Sequence, residues 1–237
     1  MYTKKKNSKN KNSKKIKKKI QKNYIFNLKI KIYYKNIMQI NDENLDTGDI
    51  LLFSEKGCCF SNLIKICTKS KFSHVAMVLK NPNYLRPGLE GLYILESTIE
   101  SSEDAIDHKY KYGVQVHKLS EYLDNYKGSV YIRKLKCERS NDFYKQLKLI
   151  YNDVNNVLYD TNPIDWFKAS LNIEIGNVHK INAFWCSALV AYIYVRLGLL
   201  PPQIPWTIIT PADFGENGYL NDKFISSHLE NEILILS

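Results

Sequence analysis

Three side chains in this sequence have the types that nucleophilic acyl chemistry needs: the thiol of Cys186, the imidazole of His74 and the carboxylate of Glu96. Cys186 stands near the start of the most hydrophobic helical stretch, residues 183–195. Asn182 is the candidate N-cap, and Gly198, Pro201 and Pro202 supply stop signals behind it. A thiol in the first turn of a helix feels the positive end of the macrodipole and the unpaired N–H groups there. Both favour the thiolate, and catalytic cysteines so placed have pKa values from roughly 3.5 to 7.5. His74 can take the thiol proton to leave a thiolate–imidazolium pair, and Glu96 can hold the ring in one tautomer. The thiolate would attack a carbonyl carbon, the imidazolium would protonate the leaving group, and water or another acceptor would resolve the acyl-enzyme. The backbone N–H of Cys186 is a natural oxyanion donor, and no second donor is visible.

Strands and one helix must bring these groups together. Residues 72–79 alternate as a strand with Phe72, His74, Ala76 and Val78 on one side, and residues 92–98 as a strand with Leu92, Ile94 and Glu96 on one side. Paired in suitable register, they make His74 and Glu96 neighbours at a sheet surface, where a helix tip packed on that surface could carry Cys186 to His74. Around them the sequence predicts a strand over 50–53 after the Gly48-Asp49 turn, a short helix over 60–69, and a Pro/Gly-rich loop from Pro82 to Gly91. An acidic, Ser-rich loop through Asp107, a short strand over 114–116, a brief helix capped by Ser120 and a strand over 130–135 follow. Residues 141–157 read as an amphipathic helix with Phe143, Leu147, Ile150 and Val154 on one stripe; 164–171 read as a shorter one and 233–236 as a last strand. Strands bunched before helices predict α+β: an antiparallel sheet with helices packed on one side.

Charge divides the chain. Residues 1–41 hold fourteen lysines and no acid, whereas 42–237 hold twenty basic and twenty-four acidic residues, so the formal net charge of +10 comes wholly from the first segment. A mildly acidic remainder argues against a specific nucleic-acid-binding domain. The lysine-rich segment cannot bury enough apolar surface to offset ordering, so we read 1–41 as a disordered tail before one catalytic domain, 42–237. It is a solvated extension, a polybasic anchor for an anionic membrane surface (residues 1–35) or for nucleic acid, or a nuclear-import-like address. Residues 28–32 alternate like an edge strand, and Met38 is a candidate native start. With no secretory signal visible and an odd cysteine count, the expected setting is an intracellular reducing compartment, the cytoplasm. Cys58, Cys59, Cys67 and His74 lack C-x-x-C spacing, so they are read as structural thiols and a strand histidine rather than a zinc site. His108, His117, His179 and His228 are set aside from catalysis, and Trp166, Trp185 and Trp206 are read as core or pocket walls. No phosphate-cradling loop or paired metal carboxylates are present, and no cofactor or metal is expected.

Four short stretches, Gly48-Asp49-Ile50-Leu51-Leu52, Phe72-Ser73-His74-Val75-Ala76-Met77-Val78, Tyr93-Ile94-Leu95-Glu96-Ser97 and Trp185-Cys186-Ser187-Ala188-Leu189-Val190, together resemble the permuted branch of the NlpC/P60 papain-like superfamily. The match is to its bacterial and poxviral amidase-like group, in the order His, Glu, Cys, and spans about residues 46–215. Tyr159-Asp160 and Pro211-Ala212-Asp213-Phe214 are weaker agreements. The Cys58-Cys59 doublet and the lysine tail are outside the pattern. The resemblance implies a circularly permuted papain-like fold with Cys186 as nucleophile, His74 as base, Glu96 as the third polar residue, and Tyr159 lining the site. It also implies a small-molecule, lipid or peptide acyl substrate, since the family covers amides, esters, thioesters and lipid acyl transfer. Two other readings stand beside the hydrolase. One is an acyltransferase or phospholipase of the lecithin–retinol acyltransferase type. The other is a binding module with an idle thiol and a tail that docks an anionic partner.

Overall fold

Apolar residues arrive in short runs separated by turn residues over the first half of the domain, and they form strands. In chain order the elements are β1 (Ile50–Glu55), α1 (Cys59–Cys67), β2 (His74–Lys80), β3 (Leu92–Glu103), β4 (Tyr110–Lys118), α2 (Leu119–Asn125), β5 (Gly128–Arg133), β6 (Leu135–Lys136) and α3 (Asn141–Val154). They continue as β7 (Leu158–Tyr159), β8 (Ala183–Phe184), α4 (Cys186–Arg196), three short 3-10 turns, β9 (His228–Leu229) and β10 (Ile233–Leu236). This computed structural model describes residues 44–55, 59–68, 70–160 and 183–237. The tail 1–41, its edge strand and Met38, the helix expected over 164–171, and the residues Cys58, Trp166, His179 and Asn182 lie outside the described residues. The chain separates at residue 40, and every described residue belongs to the second unit, Asn41–Ser237.

Six strands form one sheet in the order β10-β5-β1-β2-β3-β4, every neighbouring pair antiparallel. One face carries the main core: Ile50 and Leu52 of β1, Val75, Met77 and Leu79 of β2, and Tyr93 and Leu95 of β3 pack with α3 and α4. Ser140 caps α3 by accepting from the N–H of Phe143, and the stripe Phe143, Leu147, Ile150 and Val154 is buried, as its period of 3.6 requires. α4 is buried from Cys186 to Tyr194, nearly all round, the mark of a helix inside a core. The other face is covered as well. Phe53, out of phase with Leu52, meets the rings of Tyr122 and Tyr126 at 5.5 and 5.1 Å, and Leu119 and Leu123 of α2 are buried. The α+β class and antiparallel sheet agree with the sequence reading. The expected one-sided helix packing holds for α3 and α4 and fails at α2.

Several boundaries differ from expectation, and those of β3, β4 and α4 bear on the site. β3 and β4 run far beyond 92–98 and 114–116, through the region read as an acidic loop, with a register shift between Thr98 and Ser102. The added residues are mostly exposed Ser, Glu and Tyr and carry no burial signal, although the loop that joins them returns to the core at Asp104 and Ile106. α4 begins at Cys186 with Trp185 as N-cap, not at Ala183 with Asn182, because Ala183 and Phe184 are spent on the parallel β7–β8 pair.

Candidate active site

The site lies where β2 and β3 come apart. Their pairing runs from Lys80 opposite Leu92 only as far as Met77 opposite Leu95. Beyond that point β2 continues against β1 alone, with His74 opposite Phe53, while β3 continues against β4, with Glu96 opposite Gln115. Continuing the β2–β3 count would set Glu96 beside Ala76, two residues from His74 on the same face, a diagonal separation that long side chains can bridge. They do bridge it: Nε2 of His74 and Oε2 of Glu96 form a close ion pair, Glu96 fully buried and His74 partly open.

Cys186 comes from the opposite face. Val75, Met77 and Leu79 point toward α4 and His74 points away, so the expectation that the helix packs on His74's own surface is corrected here. The sulfur reaches the imidazole through the open end of the ladder. Val78 donates its N–H to Asp49 on the β1 side at 2.7 Å, so the N–H groups of Met77 and Val75, out of phase with it, point toward β3. Met77 has a β3 partner; Val75 does not, and its N–H donates to the sulfur of Cys186, as does the N–H of Ser187. Two hydroxyls hold the approach. Ser97 on β3 donates to the carbonyl of Phe184 at 2.7 Å, and Ser187 donates to the carbonyl of Ile209 at 2.7 Å. Ile209 is in turn held by the turn that follows it, where Asp213 accepts from the N–H of Thr210 at 2.7 Å.

Electrostatics then set the protonation states. Burial pulls the His74 imidazole down, but the Cys186 sulfur and the Glu96 carboxylate on either side outweigh it and raise its pKa to about 10. Burial pushes the Cys186 thiol up, and the His74 imidazolium with the N–H groups of Val75 and Ser187 brings it below the ordinary thiol value. Its position as the first residue of α4 adds the helix dipole in the same direction. Burial likewise raises Glu96, and His74, His117 and Tyr122 more than reverse that. Each shift favours the same charged arrangement: thiolate, imidazolium and carboxylate in a row. With Nε2 of His74 taken by Glu96, Nδ1 is the nitrogen left for the sulfur.

Further side chains complete the site. Tyr122 of α2 donates its hydroxyl to Oε2 of Glu96 at 3.2 Å. His117 of β4, set aside in the sequence, stands with Nε2 3.4 Å from Oε1 of Glu96. No local signal in the sequence marks either; both arrive through the β3–β4 register and the α2 turn. Tyr159 lines the same cleft, and burial, the Cys186 sulfur, Asp160 and Glu96 hold its phenol protonated. β7 carries it, paired to β8 with Tyr159 opposite Phe184, and β7 crosses β4 directly over Gly113, where φ is +94° and a Cβ would meet the Val157 carbonyl at 2.2 Å. The cleft holds about 930 Å³, opens onto His74 and Glu96, and has Tyr93, Tyr122, Tyr126 and Leu89 among its walls.

The remaining candidates stay out of the row formed by Cys186, His74 and Glu96, although His108 lines the same cleft. His108 pairs with exposed Glu103 at 3.2 Å and His228 is exposed on β9. Cys137 is half-buried, with its thiol raised chiefly by burial. Trp185 is buried at the N-cap of α4, and Trp206 packs edge-on against Tyr192. Among the described residues no group of three or more His, Cys, Asp or Glu side chains is arranged to hold a metal ion, and no helix is long and apolar enough to cross a membrane.

No protein-family model and no curated protein matches the chain. Among solved structures it is similar to the crystal structure of the metalloprotein yiiX (DUF1105) from Escherichia coli O157:H7. The sequence identity is 18% and the TM-score 0.43, over 65% of this chain and 66% of that one, so the chain spans about two thirds of that protein's length.

Proposed function

We propose that the chain is a cysteine hydrolase with a permuted papain-like fold, cleaving an amide, ester or thioester through an acyl-enzyme on Cys186. One observation carries this reading: a single imidazole, His74, is engaged by a helix-tip sulfur on one side and a buried carboxylate on the other. Structural cysteines and strand histidines do not need that pairing, and an activated nucleophile does.

In the reaction, the Cys186 thiolate adds to the carbonyl carbon of an acyl substrate in the cleft, and the negative charge moves to the carbonyl oxygen. The backbone N–H of Cys186, at the start of α4, is a donor for that oxygen. His74 gives its Nδ1 proton to the leaving amine, alcohol or thiol as the carbon–heteroatom bond breaks, and a thioester remains on Cys186. Neutral His74 then takes a proton from water as its oxygen attacks the thioester. The acid departs and the thiolate–imidazolium pair returns. Glu96 keeps Nε2 protonated and the ring in plane throughout.

The test is alkylation by iodoacetamide from pH 5 to 9, read at each cysteine by mass spectrometry in wild type and His74→Ala. Cys186 reacting fast near pH 6, and losing that reactivity without His74, is the expected result. Cys186 titrating like a free thiol near about 8.5, or reacting equally in both proteins, rejects the mechanism.

A further inference from the structure

His117 lies against the one oxygen of Glu96 that His74 and Tyr122 leave open. Oε2 accepts from both of those residues, and Oε1 faces Nε2 of His117 at 3.4 Å. Which proton His117 presents there can be read from its neighbours. The buried Gln115 amide donates through Nε2 to the carbonyls of Glu100 at 2.9 Å and Lys111 at 2.7 Å, which fixes its orientation and leaves Oε1 as the acceptor. Ser102 spends its single proton on that oxygen at 2.6 Å. The Ser102 oxygen can then only accept from its other neighbour, Nε2 of His117 at 3.4 Å. Nε2 of His117 therefore carries a proton, held between the Ser102 oxygen and Oε1 of Glu96.

We propose that His117 is a positioning residue for the site: an N–H donor of fixed tautomer that secures the second oxygen of Glu96 and so keeps the carboxylate charged and aimed at His74. The role rests on the cysteine-hydrolase reading; the tautomer does not. The ionisable groups around Glu96 are His74 from β2, His117 from β4, Tyr122 and Tyr126 from α2 and its cap, and Tyr159 from β7. Of these, His74 and His117 are the two that can bring positive charge to it.

Two measurements test the proposal. In protein carrying 15N-labelled histidine, the long-range nitrogen–proton pattern at pH 8 should show His117 protonated at Nε2; an Nδ1–H tautomer overturns the argument. Second, Cys186 alkylation is followed against pH in His117→Phe, which keeps the ring and loses the donor, and in His117→Gln, whose side-chain amide can place a donor near the same point. The Phe variant should react about three- to tenfold more slowly at pH 6, with its onset displaced to higher pH, as loss of one long hydrogen bond of ordinary strength implies. The Gln variant should recover most of the rate. A Phe variant equal to wild type, or a Gln variant as slow as Phe at matched thermal stability, overturns the positioning role. If wild-type Cys186 itself titrates as an ordinary thiol, the hydrolase reading fails and the positioning role falls with it. The tautomer result then shows separately whether the hydrogen-bond reading of His117 was right.

Discussion

Glu96→Gln is the most searching substitution because it keeps the shape of the side chain and removes only its charge. In wild type the carboxylate accepts from His74 and Tyr122 and faces the N–H of His117, so donors converge on both oxygens. An amide cannot satisfy them: whichever way it turns, its NH2 group meets a donor. A hydrogen bond to a charged group contributes about 1.5–3 kcal/mol. At about 1.4 kcal/mol per pKa unit, the His74 pKa of about 10 should drop by roughly 1–2 units. Carbon-13 NMR of labelled histidine, with His74→Asn to assign the resonance, reads this directly. Cys186 alkylation at pH 6 should slow in parallel, since a weaker imidazolium holds the thiolate less well. A His74 pKa within about half a unit of wild type, where a full unit is worth about 1.4 kcal/mol, would refute the claim that Glu96 stabilises the imidazolium.

Cys186→Ala should abolish turnover and lower the His74 pKa further than Glu96→Gln does, because the sulfur is the larger of the two influences that raise it; the same NMR titration ranks them. His74→Ala should cost roughly two to four orders of magnitude in kcat/KM on whatever acyl substrate is found. The pH–rate profile should rise through the lowered Cys186 pKa, below 9, and fall near 10 as His74 loses the proton that the leaving group needs. An alkaline limb near 7 would show that no such ion pair exists. Gly113→Ala should destabilise the domain by about 1–3 kcal/mol from backbone strain alone. It should also slow Cys186 alkylation, because β7 must lift off β4 and take Tyr159 with it. Urea unfolding beside alkylation separates the two effects.

Much of the fold was legible because burial writes itself into composition. The runs at Ile50, His74 and Leu92 are strands, the stripe on α3 is its buried face, and the apolar run at Cys186 is the core helix. Residues 99–103 and 110–113 were not legible, since strand ends made mostly of exposed polar residues and tyrosines have the composition of a loop. An apolar run does not distinguish the two-residue strand Ala183–Phe184 from a first helical turn, and Trp185 is not a capping residue type, so the start of α4 is not legible. Cys186, His74 and Glu96 could be picked out by residue type and order. The Val75 donor could not, because it is a backbone group exposed only by where a ladder stops. His117 was out of reach for a related reason, since its place depends on a strand register that shifts between Thr98 and Ser102.

The early end of the β2–β3 ladder also bears on how the chain must fold. β2 and β3 are neighbours in sequence, joined by residues 81–91, and can zip together locally, whereas Phe184, whose carbonyl Ser97 grips, arrives from 87 residues further along. Local pairing forms quickly and contacts of that sequence separation form late. We therefore predict that the hairpin waits half-closed, with the Val75 N–H on the β3 side short of a partner, until the helix is in place. A chain that zipped those last rungs first would have a regular sheet and no room for the sulfur. Stopped-flow refolding followed by both circular dichroism and thiol reactivity would expose such a species as secondary structure that recovers before the nucleophile does.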